Sequence, residues 1–541
     1  MTSDHYVIVG AGASGTAAFI ALVRELERLP AGVAARTVVS IVERSGDFGP
    51  GLPYGAGTDP LHLLNMRAAT MSLIADEPAD FTGWLAGQGP VPETYPRAPE
   101  DMLASRHRFG VYARQRLAEY TGRARMLGAS VHLLSDTATG VVAEAAGTLR
   151  VSLASGSILW ADRLVTATGH WHPSSTDHCR DLGERLAADG SGALLFPWPA
   201  ARLAASVQPG AIGLLGTSLT AVDAALTIAA RFGEFERIEP GRYRYHPREP
   251  FTITACSRRG LLPAVQVDRA AARSCEDNPY LVTEPLAELG EGAGRFTADA
   301  VARRYEAARR WLRPSPGPAA ADGEDGDVTG REHLALRRSI DAWRHRDPAT
   351  ATGQELARVF FGTLWWIYKQ LPAAERRAVW REFMTPYLVD SAAIPIENAA
   401  RIEALLDAGV LRVRSGATGV RPQERGFAVT FADGAPLHTA YLVNAIGRET
   451  GLGEGTGFAR AALAAGVLVA DPVAGIGVDP ETSLALTDDG GTYGRVGVLG
   501  QLTMGSHIGA SAVSSCVKRA TALVRAWTAD LRVAPTTGET R

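Results

Sequence analysis

The sequence predicts an α/β protein with two Rossmann-like domains and a helical insertion. Two observations carry this prediction. An apolar strand, a glycine-rich turn and a helix follow one another at the start of the chain, and the same order returns in its middle. Each copy leads to a β-rich crossover with nearly the same ending, Leu164-Val-Thr-Ala-Thr-Gly169 in the first and Leu442-Val-Asn-Ala-Ile-Gly447 in the second. Such a repeat is typical of two dinucleotide-binding domains in one chain.

The first turn follows the strand Tyr6-Val-Ile-Val and has the pattern G-x-G-x-x-G. Gly10 permits the tight turn, Gly12 lets the backbone approach a pyrophosphate, and Gly15 allows the helix to pack closely on the strand. The helix N-terminus favours the anion through its unpaired N–H groups and its dipole. The predicted cofactor contacts of this region are Gly10, Gly12, Ala13, Ser14, Gly15, Glu43 and Arg44.

Glu43 ends the second strand, where its carboxylate is placed to accept hydrogen bonds from a ribose 2′-hydroxyl. It lies 28 residues after Gly15, more than the usual ~20, and we attribute the excess to the loop around Pro30-Ala-Gly32. Because a carboxylate suits an unphosphorylated ribose, the first domain is predicted to bind FAD.

The second turn, Gly216-Thr-Ser-Leu-Thr-Ala221, is a degenerate copy of the first. Ser218 and Ala221 replace glycines, and their small side chains still permit close backbone approach and close packing. An ordinary buried strand–helix unit is the alternative interpretation. The predicted contacts here are Gly216, Thr217, Ser218 and Ala221.

The next strand, Phe251–Cys256, ends in Ser257-Arg258-Arg259 and carries no acid. A hydroxyl and one or two guanidiniums would satisfy a 2′-phosphate, which favours NADPH over NADH. The alternative is that these two arginines have no special role. The chain is rich in arginine, since only two of its 55 basic residues are lysines. Arg258 also lies 42 residues after the first glycine of the second turn, beyond the usual spacing.

The C-terminal part holds a third glycine-rich turn, from Gly500 to Gly509, between a strand and a long helix that extends to about Ala529. A helix N-terminus aimed at the flavin pyrimidine would stabilise negative charge on the reduced ring. His507 is the one titratable residue of this turn. It is a candidate for donating a hydrogen bond or shuttling a proton, and the alternative is a histidine at a helix start that faces solvent or packs.

Composition excludes several classes of protein. The 541-residue chain is 46% hydrophobic and 21% charged with a formal net charge of −3, which argues against a nucleic-acid binder or an anionic-membrane binder. Its four cysteines are scattered without CxxC or zinc spacing, so neither a dithiol–disulfide reductase nor a metal site is predicted. No signal peptide and no long apolar run is evident, so we expect a cytoplasmic protein without membrane spans.

The remaining stretches complete the domain plan. Residues 331–395 look helical and aromatic-rich, and they either cover the active site or, for most rings, form the core of a small subdomain. Arg106 and Arg108 at the start of an amphipathic helix are within reach of a phosphate but fit a solvated face better. The predicted domains are the FAD-binding domain (1–200 and 455–530), the NADPH-binding domain (205–310 and 400–450) and the insertion (331–395).

These motifs, with Gly49-Pro-Gly51-Leu-Pro-Tyr54 and His62-Leu-Leu-Asn65-Met66, give the chain a family resemblance. It resembles the bacterial FAD/NAD(P)-binding proteins related to class B flavin monooxygenases. Within that group it is similar to the amino-acid N-oxygenating branch, such as the nitrosuccinate-forming aspartate N-monooxygenases. The Baeyer–Villiger signature FxGxxxHxxxW/F is not apparent, which argues against that branch.

The resemblance implies a cycle in which NADPH reduces FAD, O2 adds to give a flavin C4a-hydroperoxide, and a nucleophilic nitrogen or sulfur takes the distal oxygen. It also places Leu64, Asn65 and Met66 at the flavin edge, with Asn65 a candidate for flavin or substrate contact. Gly500 and Gln501 stand where many two-domain flavoproteins have Gly-Asp. The implied partners are O2 and a small amine or amino acid.

Three functions remain open from the sequence. The first is an NADPH-dependent, FAD-containing monooxygenase, which the aromatic insertion favours. The second is an FAD-dependent reductase or dehydrogenase that passes electrons to an organic acceptor or partner protein. The third is a flavin- or nucleotide-binding protein without turnover. The sequence leaves the substrate and the oligomeric state, a homodimer included, undetermined.

Overall fold

The computed structural model describes residues 4–30, 32–89, 94–95, 97, 101–144, 147–169, 192–281, 297–312, 326–446 and 457–532. Its strands are β1 (Asp4–Val9), β2 (Thr37–Val42), β3 (Ser130–Leu134), β4 (Ala138–Ala143), β5 (Leu149–Leu153), β6 (Ile158–Ala161), β7 (Arg163–Thr166), β8 (Ala193–Leu195), β9 (Ala211–Leu215), β10 (Gly233–Glu239), β11 (Arg242–Pro247), β12 (Thr252–Cys256), β13 (Leu411–Arg414), β14 (Ala417–Pro422), β15 (Phe427–Phe431), β16 (Leu437–Thr439), β17 (Tyr441–Asn444), β18 (Leu484–Leu486) and β19 (Thr492–Val498).

The α-helices are α1 (Ala13–Leu26), α2 (Val33–Arg36), α3 (Asp80–Gly87), α4 (Arg106–Met126), α5 (Ala200–Ser206), α6 (Leu219–Phe232), α7 (Ala298–Leu312), α8 (Thr329–Arg344), α9 (Pro348–Tyr368), α10 (Ala373–Ala378), α11 (Met384–Ser391), α12 (Ile396–Asp407), α13 (Gly457–Ala464) and α14 (Val513–Arg532). A π-helical turn, Val379–Phe383, joins α10 to α11.

Two separate sheets confirm the predicted pair of Rossmann-like domains. The first has the strand order β18-β19-β7-β1-β2-β3 and is parallel except for its antiparallel edge strand β18. The second has the order β13-β12-β9-β17-β8 and is parallel throughout. The central strands of both sheets are buried along most of their length, as expected where helices cover both faces.

A three-stranded antiparallel crossover accompanies each sheet, as the sequence predicts. The first is β4-β5-β6, which leads into β7, and the second is β14-β15-β16, which leads into β17. The two matching endings therefore lie on equivalent central strands. Gly169 adopts a φ of +76°, whereas Gly447 lies outside the described residues.

Inserted structure explains both long spacings in the fingerprints. The extra turn α2 lies between α1 and β2, and it accounts for the distance from the first turn to Glu43. The antiparallel hairpin β10-β11 lies between α6 and β12, and it accounts for the distance from Gly216 to Arg258. Neither insertion changes the order strand, turn, helix, strand.

Two domain boundaries differ from those predicted. β8 pairs with β17, so the second domain starts before residue 200. Helix α8 contributes Leu336 and Ile340 to the core of the second domain, whereas α7 packs with α9 and the π-helical turn in the helical subdomain. Amphipathic helices of similar composition suit either core, so the sequence did not separate them. Among the described residues, no helix is long and apolar enough to cross a membrane.

Candidate functional site

The turn between β1 and α1 requires glycine at two positions. Gly10 has a φ of +97°, and a Cβ there would lie 2.3 Å from the carbonyl oxygen of Ala167 at the end of β7. A Cβ on Gly15 would lie 1.9 Å from the carbonyl oxygen of Gly10. The backbone of α1 is thus pressed onto the turn, which leaves the space before the helix N-terminus open to a pyrophosphate.

Glu43 is held by this same turn. Its carboxylate accepts hydrogen bonds from the backbone N–H of Ala11 at 3.0 Å and from the backbone N–H and hydroxyl of Ser45 at 3.0 and 2.8 Å. These donors fix the carboxylate at the carboxyl end of β2, beside the turn. That is the position from which an acid accepts from ribose hydroxyls.

The segment predicted to meet the flavin edge lies across from the first turn. Leu64 is buried and donates its backbone N–H to the carbonyl oxygen of Ala104 at 2.9 Å. The carbonyl oxygen of Asn65 accepts a hydrogen bond from the side chain of Gln266, which belongs to the second domain. Gln266 also donates to the carbonyl oxygen of Ala393 at 2.9 Å. The sequence alone did not indicate this contact between domains.

The second turn repeats the geometry of the first in weaker form. Gly216 has a φ of +112°, and a Cβ there would lie 2.9 Å from the carbonyl oxygen of Ala445 after β17. Ser218 is the N-cap residue of α6, and Ala221 is buried in the first turn of that helix. The hydroxyls of Thr217 and Ser257 lie 3.0 Å apart, which ties this turn to the end of β12.

Arg258 and Arg259 follow directly on β12, beside the second turn. Arg258 is exposed, and Arg259 donates from its guanidinium to the carbonyl oxygen of Glu382 at 3.4 Å. The backbone oxygen of Arg258 accepts from the N–H of Gly416 at 3.0 Å. Arg258 and Arg259 therefore stand just beyond the carboxyl end of β12, on the wall of the same cleft as the second turn.

One cavity of about 2370 Å³ connects these features. It runs between the two turns and continues beneath the helical subdomain. The predicted site residues on its wall are Gly10, Gly12, Ala13, Ser14, Glu43, Arg44, Leu64, Asn65, Met66, Gly216, Thr217, Ser218, Ser257, Arg258, Arg259, Gly500 and Gln501. Gly15 and Ala221 are not among the lining residues, as expected for positions that pack helix on strand.

His507 does not reach this cavity. Its side chain is fully buried, its Nδ1 lies 2.6 Å from the guanidinium of Arg519, and its ring lies 5.1 Å from that of Trp365. Burial and the neighbouring guanidinium hold the pKa of His507 well below its usual value, so the imidazole is neutral. This packing does not support the predicted catalytic role and agrees with the alternative of a packed histidine.

Gly500 and Gln501 start a 3₁₀ turn after β19 and reach the cavity. The close neighbour of Gly500 is Ser14, whose hydroxyl oxygen would lie 2.7 Å from a Cβ at that position. The same hydroxyl donates to the thiol of Cys516 on α14 at 3.2 Å. Burial raises the pKa of the Cys516 thiol, so it is a protonated packing group.

The helical subdomain lines one part of the cavity with the apolar side chains of Phe361, Trp380 and Met384 and with three arginines. It is anchored to the C-terminal turn, because Tyr368 donates from its hydroxyl to the carbonyl oxygen of Gly505 at 2.9 Å. Ile508 from that turn completes the subdomain core. Most other rings of the subdomain are core residues, so the insertion both forms a core of its own and contributes to the cavity wall.

Arg106 corrects one expectation. It is not on a solvated face but forms a largely buried ion pair with Asp223 of α6, with Nε 3.0 Å from Oδ2. Burial opposes the charge of Arg106, but the Asp223 carboxylate and the Tyr54 hydroxyl together more than offset this, so the pKa of the guanidinium is raised. A lone acid in the apolar sequence of α6 was the signal that could have revealed the pair.

Comparison with known proteins gives a family match for the first part of the chain and one relative of similar sequence. Residues 7–171 match the model of a family described as FAD-NAD(P)-binding. Over 274 residues the chain is 27% identical to the uncharacterized protein YdhS of Escherichia coli (strain K12), covering 47% of this chain and 46% of that protein. The chain therefore matches less than half the length of this relative.

Two solved structures are similar over nearly their full length. Reduced ornithine hydroxylase (PvdA) from Pseudomonas aeruginosa is 13% identical, with 98% of this chain and 99% of that chain covered and a TM-score of 0.49. L-lysine 6-monooxygenase from Pseudomonas syringae is 14% identical, with 98% and 100% covered and a TM-score of 0.46. The family match covers residues 7–171 and agrees with the prediction that this part of the chain binds a dinucleotide.

Proposed function

We propose that this protein is an NADPH-dependent flavin monooxygenase that oxygenates a nucleophilic nitrogen of a small amine or amino acid. The observation that carries the proposal is the continuous cavity that is lined by both glycine-rich turns and by the helical subdomain. Such a cavity brings a reduced nicotinamide, a flavin and a third small molecule into one shielded space.

The first turn and Glu43 would hold FAD, with the pyrophosphate at the N-terminus of α1. The cradle fits a flat, anionic ligand because Gly10, Gly12 and Gly51 line the cavity with backbone alone, which lets a ligand approach the turn closely. The second turn would hold the NADPH pyrophosphate, and Arg258 and Arg259 would bind its 2′-phosphate. When bound, FAD would accept two electrons from NADPH and, once reduced, would activate O2.

The helical subdomain provides the feature that separates oxygenation from simple electron transfer. Phe361, Trp380 and Met384 would limit the access of water to the cavity, whose wall also carries Asn65 and Gln501. A dry site retains a reactive oxygen species long enough for a substrate nitrogen to meet it. Asn65, whose backbone carbonyl is fixed by Gln266, is the side chain we propose for contact with flavin or substrate.

The test is anaerobic reduction of the purified yellow protein by NADPH and by NADH, followed by rapid mixing with O2. We expect faster reduction by NADPH, and after O2 a long-lived spectrum distinct from oxidised and reduced flavin. Small amines and amino acids are then screened for coupled NADPH consumption and an N-oxygenated product.

Two other outcomes select the alternative functions. Reduction followed by direct return to oxidised flavin, with and without every amine tested, would show a reductase or dehydrogenase. A protein that binds FAD but is reduced by neither nucleotide would be a non-catalytic flavin protein.

A further inference from the structure

A buried set of polar contacts joins the first domain to the helix that follows the second turn. We call it the interdomain clasp, and it consists of His62, Arg106, Asp223 and Thr227. Arg106 Nε donates to Asp223 Oδ2 at 3.0 Å. His62 Nε2 lies 2.8 Å from the hydroxyl of Thr227 and 3.0 Å from the carbonyl oxygen of Asp223.

Three members of the clasp are closed to solvent, whereas Arg106 is largely buried but reaches the wall of the cavity. His62 and Thr227 are 0% and 1% exposed, and Asp223 is 2% exposed. Buried polar groups must keep their partners, because an unpaired one is strongly unfavourable in the interior. The two domains are therefore held at a fixed distance and angle at this point.

The clasp is close in sequence to residues of both domains that line the cavity. On the side of the first domain, the carbonyl oxygen of His62 accepts from the N–H of Arg106 at 2.8 Å, and Asn65 follows three residues later. On the side of the second domain, Asp223 stands one turn along α6 from Ser218, the N-cap at the second turn.

We propose that the interdomain clasp positions the nicotinamide against the flavin and thereby sets the rate of hydride transfer. This inference rests on the proposed function. In the step, a hydride passes from NADPH to FAD, so that NADPH becomes NADP⁺ and FAD becomes FADH⁻. The clasp groups are positioning residues, because they act on the distance between the two bound cofactors. Transfer rates are steep in such distances, and misplacement by about 1 Å lowers them by up to about 100-fold.

The experiment is anaerobic stopped-flow reduction of the holoenzyme by NADPH, with the limiting rate and the dissociation constant measured separately. For Arg106→Gln and for the milder Thr227→Val we expect a limiting rate at least about tenfold lower, with less than threefold change in the NADPH dissociation constant. FAD content and reduction by dithionite stay as in the wild type. Arg106→Lys keeps the charge and recovers part of the rate.

Arg123→Gln is the matched control. Arg123 lies on the same helix α4 as Arg106, but its ion pair, with Glu27 at the end of α1, is at the surface. This variant should leave the limiting rate unchanged. The inference is overturned if Arg106→Gln and Thr227→Val retain the wild-type limiting rate, or if rate and FAD content fall in parallel in every clasp variant. If NADPH does not reduce the wild type, the proposed function itself fails and the inference falls with it.

Discussion

The Cα of Gly15 lies so close to the carbonyl oxygen of Gly10 that a Cβ would be 1.9 Å from it. This single approach fixes the first helix on its strand and shapes the entrance of the first cofactor site. The obstructing atom belongs to the backbone, so no rotamer change relieves the clash.

Gly15→Ala should therefore lose FAD. We expect purified protein with little absorbance near 450 nm and a stability lower by about 1–3 kcal/mol, the usual range for overpacking. Gly122→Ala on α4 is the control, because nothing lies within 4 Å of its Cβ position. That control should keep FAD and gain about 0.4–1 kcal/mol. A fully flavinated Gly15→Ala protein would contradict the assignment of the turn.

Removing Arg258 and Arg259 should change nucleotide preference. The double replacement Arg258→Gln/Arg259→Gln loses charge-assisted hydrogen bonds of about 1.5–3 kcal/mol each to a 2′-phosphate. We expect the apparent affinity for NADPH to fall at least about tenfold, while that for NADH stays nearly constant. Steady-state kinetics with both nucleotides measure this, with Arg412→Gln on the exposed side of β13 as control. Equal losses for both nucleotides would refute 2′-phosphate recognition.

His507 should make unfolding depend on pH. Its pKa is lowered in the folded protein, so the unfolded chain takes up the proton first as the pH falls. Stability is fully present above the unfolded pKa of about 6.5, and is lost as the pH falls below it, by up to about 1.4 kcal/mol per pH unit.

His507→Gln should flatten this dependence. Urea unfolding at about pH 7 and about pH 5.5, on either side of the unfolded pKa of about 6.5, measures the pH dependence of stability. His5, whose pKa is also lowered by burial, contributes equally to both proteins. His246→Gln, on the exposed hairpin β10-β11, serves as control. An unchanged slope in His507→Gln would show that the imidazole is not a buried neutral group.

Removing one partner of the Arg106–Asp223 ion pair should destabilise the protein more than removing both partners. Arg106→Met alone leaves a buried carboxylate without its cation, and we expect a loss of about 3–5 kcal/mol. The double variant Arg106→Met/Asp223→Leu removes both charges and should recover most of that loss. Urea unfolding of the four members of the cycle gives the coupling free energy. Additive single effects would mean that the two side chains do not interact.

Gly509→Ala should open the helical cover. Gly509 has a φ of +73°, and a Cβ there would lie 2.4 Å from Cζ of Phe361. Displacement of that ring admits water, so a larger share of the NADPH consumed should end as H2O2 instead of oxygenated product. Peroxide and product assays measure the ratio, and Gly362→Ala, with nothing within 4 Å, is the control on α9. An unchanged ratio of peroxide to product would show that Phe361 does not shield the cavity from water.

The two Rossmann-like domains and the glycine-rich turn of the first domain could be predicted from the sequence alone. These features depend on local patterns: a strand of apolar residues, glycines at fixed offsets such as Gly10 and Gly15, and an acid at the end of the next strand. Local spacing is enough because each unit forms from neighbouring parts of the chain. The same reasoning located the second turn despite Ser218 and Ala221.

The side-chain contacts between the domains could not be predicted from the sequence and became evident from the three-dimensional arrangement. Arg106 and Asp223 are 117 residues apart, and no periodicity shows that the two approach each other. His507 was a reasonable catalytic candidate from its place in a glycine-rich turn, yet Trp365 and Arg519 enclose it. Helix α8 packs in the core of the second domain, whereas α9 packs in the core of the helical subdomain. The similar amphipathic patterns of the two helices do not show this difference. Burial and pairing at long range depend on how the elements pack, and a one-dimensional pattern does not contain that information.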